Sequence, residues 1–210
     1  DEFVTATIQT LYMVFWTSLI AGILGILLGI VLVVTRPNGI LENRPLFEFL
    51  DKVINVVRSI PFIILLTLLG TFTRFLVGTT IGETAALVPL IAGIIPFFAR
   101  QIEIALLEVD PGVVEAAEAM GTSPFGIIFR VYLPEGVAGI IRVSALTVIN
   151  VIGLTAMAGA VGAGGLGNLA ITRGYNRFQT DVTIMATLII LVFVFISQFV
   201  SNLLIKRVSH

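Results

Sequence analysis

The chain has 210 residues, 57% hydrophobic and only 12% charged, with a mean hydropathy of +1.08, whereas a soluble domain carries about 25% charged residues. That shortage of charge, with apolar runs long enough to cross a bilayer, predicts an integral membrane protein. A net charge of -1 gives a nucleic-acid role no electrostatic support, and the absence of cysteine excludes disulfides, thiol catalysis and cysteine metal sites.

The predicted elements are helical spans. Asp1-Glu2 lacks the basic start of a signal peptide, and the first apolar run is too long for its core, so residues 11–34 read as a retained membrane helix. Its glycines Gly22, Gly25 and Gly29 are spaced to let a neighbouring helix approach closely. Arg36-Pro37-Asn38-Gly39 ends it. A polar segment, residues 42–58, follows and could begin the next helix before the membrane.

The second span covers residues 60–77, with Pro61 near its start and Gly70 inside it. The third, residues 84–99, contains Pro89 and Pro96 and must be enclosed or line a pathway, because proline leaves backbone groups unpaired. Arg100 and Glu103 mark its exit.

Residues 110–134 then form a polar island. Asp110-Pro111 is a helix start with an N-cap and proline at the first position. Gly121 sits where a left-handed C-cap would end that helix. Thr122-Ser123-Pro124 restarts a second short helix, expected to stop at Pro134.

The fourth span, residues 138–161, holds the amide Asn150 and runs into a glycine-rich stretch from Gly159 to Gly167. That stretch lacks the following Lys-Ser/Thr of a phosphate loop and reads as a site of tight helix packing. The last span covers residues 182–205, and His210 beyond it reads as a tail residue rather than a ligand.

Basic residues orient the spans. With the island in the cytoplasm, that side holds Arg36, Arg44, Lys52, Arg58, Arg100, Arg130, Arg142, Lys206 and Arg207, against Arg74, Arg173 and Arg177 opposite. The expectation is an outside N-terminus and a cytoplasmic C-terminus. Five spans require termini on opposite faces, and the two readings agree.

Catalytic motifs are missing. The sequence has no His-Glu metal motif, no Gly-x-Ser-x-Gly elbow and no pair of acids placed at mid-membrane. A transporter without an ATP motif or coupling charges must take its driving force from a partner, and the island is where such a partner could dock. On amphipathicity alone, however, an ordinary interfacial or loop helix is the better reading of the island.

Resemblance changes that balance. Glu115-Ala116-Ala117, three residues, Gly121, nine residues and Val131-x-Leu133-Pro134 is similar to the EAA motif, EAA-x3-G-x9-I-x-LP, of the importer permeases of ATP-binding cassette (ABC) transporters. Only Val131 departs from it. Arg58 to Leu66 (RSIPFIILL), Val77 to Gly82 (VGTTIG) and Thr155 to Gly167 (TAMAGAVGAGGLG) resemble the methionine importer permeases.

This resemblance implies a type I importer permease: one all-α transmembrane domain over residues 1–210, with about five transmembrane helices and a coupling-helix loop near residues 108–135. It implies a homodimer in a bacterial inner membrane, surrounded by lipid. Two cytoplasmic ATPase subunits would hold ATP and magnesium, and an external binding protein would deliver methionine. By position, Glu115, Ala116, Ala117, Gly121, Leu133 and Pro134 belong to the coupling element. This chain would itself be no enzyme and carry no cofactor or metal.

Pathway residues are less marked. Met157 is either a flexible gate among small residues or an ordinary core- or lipid-facing methionine. Asn150 is read as an interhelical hydrogen-bonding group. Ser59 and Pro61 either shape the inner mouth or simply begin a helix. Rival readings keep the same machine with another small solute, such as a polar amino acid or osmoprotectant, or invoke a passive channel or ion-driven carrier.

Overall fold

The computed structural model describes residues 1–208; Ser209 and His210 lie outside the described residues. Every regular element among them is helical. Helix α1, Glu2–Thr35, begins well before the apolar run that announced it. Its buried stripe, Ala6, Thr10, Met13, Thr17, Ala21, Gly25, Gly29 and Leu32, recurs at helical spacing and is mostly small.

That stripe lies on α5, Glu83–Leu107. A Cβ at Gly25 would stand 2.7 Å from the Phe98 ring, and one at Gly29 would stand 2.6 Å from Ile102 and 2.8 Å from the Ala99 carbonyl. Gly22 has nothing within 4 Å, so two of the three predicted glycines make the close approach.

At the other end Gln9 Nε2 donates to Glu83 Oε2 at 3.3 Å. Start meets start and end meets end, so α1 and α5 run parallel. The chain between them must therefore cross the bundle once in the opposite direction.

That crossing is made by α3, Phe62–Leu68, and α4, Gly70–Val77. The sequence suggests one span here; the helix instead breaks at Leu69 (φ -84°, ψ 0°), before a glycine with no side chain to hold the turn. Among the described residues, four helical runs are long and apolar enough to span a membrane by themselves. The broken α3–α4 pair is the additional crossing that the parallel helices require.

Helix α2, Arg44–Ser59, is a separate element rather than the start of the second span. Asn43 caps it by accepting from the Leu46 N–H at 3.2 Å. Extended Ile60, which precedes Pro61, ends it. Ile54 buries against the Leu32 and Ala99 region, and Phe47 and Leu50 join that cluster.

Pro89 and Pro96 are buried inside α5, as an enclosed helix requires. The helix does not exit at Arg100 and Glu103; it continues to Leu107, because those two charges are paired within the protein.

Next come α6, Pro111–Ala119, and α7, Pro124–Ile127. The second short helix was expected to stop at Pro134, but it merges through a wide turn, Ile128–Tyr132, into α8, Leu133–Ala160. There the Leu133 N–H bonds to the Ile128 carbonyl, one residue further back than in an α-helix. The widened turn leaves Pro134 in the first turn of α8, where its missing N–H has no partner to lose.

Helix α8 runs antiparallel to α5. Gly136 and Gly139 sit against Leu106 and Ala105 at one end, and Ala158 joins Leu90, Ala86 and Met13 at the other. Helix α9, Gly165–Leu169, continues through a second wide turn, Ala170–Tyr175, and α10, Thr180–Val208, completes the bundle.

Val182 and Ala186 pack with Ala6 near the start of α1, while Ser201 and Leu204 share a groove with Ile140 and Ser144 of α8. Glu2 and Arg207 therefore lie at opposite ends of the bundle. The polar island shares the end of Arg207.

Candidate functional site

Three local devices build the island. The Asp110 carboxylate accepts from the Gly112 N–H at 2.8 Å, with Pro111 at the first helical position, so α6 starts capped. At its far end Gly121 adopts φ 74°. Its N–H donates to the Glu118 carbonyl at 2.9 Å, while the Thr122 N–H donates to the Ala117 carbonyl at 3.1 Å. That paired closure satisfies the last carbonyls of the helix and turns the chain. Ser123 then caps α7 by accepting from the Gly126 N–H at 3.2 Å.

The island has an inner and an outer face. Val114 and Ala117 are buried with Val109, Ile127 and Val131 in a local apolar cluster. Glu115, Ala116, Glu118 and Gly121 are exposed, and Met120 is 79% exposed. Of the residues in the coupling-like motif, Glu115, Ala116 and Gly121 thus face outward, whereas Ala117 holds the helix to its base. Leu133 is half-buried and Pro134 exposed in the turn beyond.

Between the island and the end of α1 lies an open groove of about 310 Å³, lined by Arg36, Leu106, Val114, Glu115, Glu118 and Tyr132 among others. Arg36, read from sequence as a helix-ending residue and one of the basic residues that orient the spans, stands there among the acids of α6.

The residues considered for a pathway do not form one site. Asn150, Gly153 and Met157 share a face of α8 at helical spacing; Asn150 is half-buried and Met157 is 42% exposed. Asn150 makes no side-chain hydrogen bond among the described residues. Ser59 and Pro61 belong to the island end, where the Ser59 hydroxyl donates to the Asn55 carbonyl at 2.7 Å and Pro61 caps α3.

In the glycine-rich stretch, a Cβ at Gly159 would meet the Asn168 N–H at 2.4 Å and one at Gly167 would meet Ala156 at 2.4 Å. These glycines fold α9 back onto the end of α8, in agreement with the packing reading.

One cluster escaped the sequence. Arg100, 16% exposed at its side chain, donates to Asp51 of α2 at 2.5 Å, to Asn55 at 3.3 Å and to Glu103 at 2.5 Å. Its only trace is the three-residue spacing of Arg100 and Glu103 beside the four-residue spacing of Asp51 and Asn55. Among the described residues no group of His, Cys, Asp or Glu could hold a metal ion.

Residues 21–210 match the family described as binding-protein-dependent transport system inner membrane component. The chain belongs to this family. It is a multi-pass membrane component of a transport system, not an enzyme.

Among relatives of this inner membrane component, the chain is 46% identical to the probable D-methionine transport system permease protein MetI of Vibrio cholerae, over 100% of the chain and 93% of the relative. It is 47% identical to the methionine import system permease protein MetP of Bacillus subtilis, over 97% and 91%. A solved structure of the MetNI methionine ABC transporter superposes with a TM-score of 0.97 at 39% identity, covering 100% of this chain and 97% of that one. A crystal structure of an amino acid ABC transporter, at 22% identity and a TM-score of 0.79, shares the fold.

Proposed function

We propose that this inner membrane component is the permease domain of an ATP-driven methionine importer. It works as a homodimer with two cytoplasmic ATPase subunits and an external binding protein, its N-terminus outside and its C-terminus in the cytoplasm. The observation that carries this reading is the island, a helix capped at Asp110, bent at Gly121 and presenting Glu115 and Ala116 at the end of the bundle. The methionine-transport relatives and the MetNI likeness supply the substrate.

In this mechanism α6 is the coupling helix. Small Ala116 lets an ATPase groove approach closely, Glu115 meets basic or amide groups there, and Gly121 keeps the bend. Leu133 and Pro134, with the wide turn before them, join the island to α8, so a push on α6 reaches a membrane helix directly. Closure of the ATPase pair would carry the coupling helices inward and rock the spans about the dimer axis. The pathway then opens toward the binding protein, and hydrolysis of ATP with magnesium on the partner returns it to the cytoplasm.

Met157 is assigned as a soft gate near the outer end of α8, Asn150 as a polar group on the same face, and Ser59 with Pro61 as the inner mouth. Selectivity rests mostly with the binding protein. The test is uptake of labelled methionine into vesicles rebuilt with the cognate ATPase and binding protein. ATP-dependent, vanadate-sensitive uptake supports the reading. Flux independent of ATP points to a passive channel or ion-driven carrier, and uptake of another small solute alone changes the substrate.

A further inference from the structure

The Arg100 cluster lies outside the coupling helix and outside every pathway residue named above, yet it joins the two. Arg100 sits on α5, about 10 Å along the helix from its end at Leu107, and that end leads directly into the Asp110 cap of α6. Its guanidinium crosses to Asp51 and Asn55 on α2, the helix whose last residue is Ser59 and which is followed by Pro61 at the start of α3.

We propose that Arg100 is a positioning residue that makes α2 follow α5, so that displacement of the coupling helix reaches the inner mouth at Ser59 and Pro61. The inference rests on the importer reading.

The geometry favours a rigid tie. Among the described residues, helix α2 packs chiefly on α5 and α1. Its hold on α5 combines an apolar cluster, Ile54 near Ala99 with half-buried Phe47 and Leu50 beside it, and this charged clamp. Ile54, Asp51 and Asn55 fall within one turn of each other, so both grips act on the same stretch of α2.

An apolar contact alone would allow sliding. A planar guanidinium held by Asp51 and Glu103, with Asn55 beside it, fixes register as well as distance. Glu103 is buried, its side chain 7% exposed, and keeps the arginine head in place from within α5. The clamp is thus rooted in the coupling-helix-bearing element and reaches outward to α2.

The informative variant is Asp51→Ala. Asp51 is 33% exposed and its loss leaves the Arg100–Glu103 pair intact. In the reconstituted importer, methionine taken up per ATP hydrolysed should fall about threefold, a modest coupling loss, with the thermal midpoint of the permease nearly unchanged. Asp51→Glu should recover most of it. The chain has no cysteine, so Asp51→Cys with Arg100→Cys and a short thiol-to-thiol cross-linker can replace the clamp covalently; the cross-linked protein should transport like wild type.

An unchanged uptake-to-hydrolysis ratio in Asp51→Ala, or a cross-link that abolishes transport, overturns the inference. Failure of the wild-type protein to take up methionine would instead overturn the importer reading, so the two failures are distinguishable.

Discussion

The Gly165 N–H, at the start of α9, donates to the side-chain oxygen of Gln9, 156 residues earlier, at 2.8 Å. Beside it the Leu166 N–H donates to the Thr10 hydroxyl at 2.9 Å. The first turn of α9 is therefore capped by side chains of α1, and Gln9 extends the link to Glu83 of α5. Three helices are pinned at the end of the bundle opposite the polar island.

Thr10→Val should destabilise the permease, because it keeps the shape and leaves a buried N–H without a partner. The expected cost is about 1–3 kcal/mol, read as a lower unfolding midpoint in detergent. Thr5→Val, at an exposed hydroxyl of the same helix, should leave that midpoint within error.

Gly29→Ala and Gly22→Ala should differ sharply. The first drives a methyl into Ile102 and the Ala99 carbonyl and should cost about 1–3 kcal/mol by overpacking. The second meets open space and should be neutral or favourable by up to about 1 kcal/mol. Denaturation of the two variants side by side checks the parallel α1–α5 contact.

Gly121→Ala meets no atom within 4 Å, so its cost is purely conformational, about 1–2 kcal/mol for a left-handed backbone. Gly121→Asn should cost less. Stimulation of the ATPase by the binding protein should fall more in the alanine variant than in the asparagine one.

The loop after α1 gives a pH dependence. Glu42 accepts from the Asn38 N–H at 3.0 Å and from Arg44 at 2.6 Å, and these contacts, the backbone bond first, lower its carboxyl below the ordinary 4.5. A lowered value means the carboxylate steadies the folded loop at neutral pH, and that support fades as pH falls through the lowered value. Amide exchange at Asn38 should therefore quicken on acidification, beyond the intrinsic trend, and Glu42→Gln should remove the effect.

Much of this molecule was legible in the sequence because its strongest signals are local. Asp110-Pro111, Gly121 and Ser123-Pro124 act through bonds to residues two to five positions away, so their positions alone announced two helices and a bend. The apolar runs announced the spans for the same reason. What escaped depends on distant partners. Arg100 and Glu103 read as a helix exit because nothing local reveals Asp51 across the gap. The motif places Ala117 in the coupling element but carries no sign of the cluster around Ile127 and Val131 that buries it. Pro134 read as a stop because the preceding residues carry no mark of a widened turn.

That widened turn sets the bearing of the whole polar island. A wide turn holds roughly one residue more than the α-helical turn it replaces, and one residue corresponds to about 100° around a helix axis. Removing a single residue between Ile128 and Tyr132 would leave every cap and every membrane contact of α8 in register while swinging Glu115 about a quarter-circle away from its present heading. The compass direction of the polar island is written in one surplus amino acid.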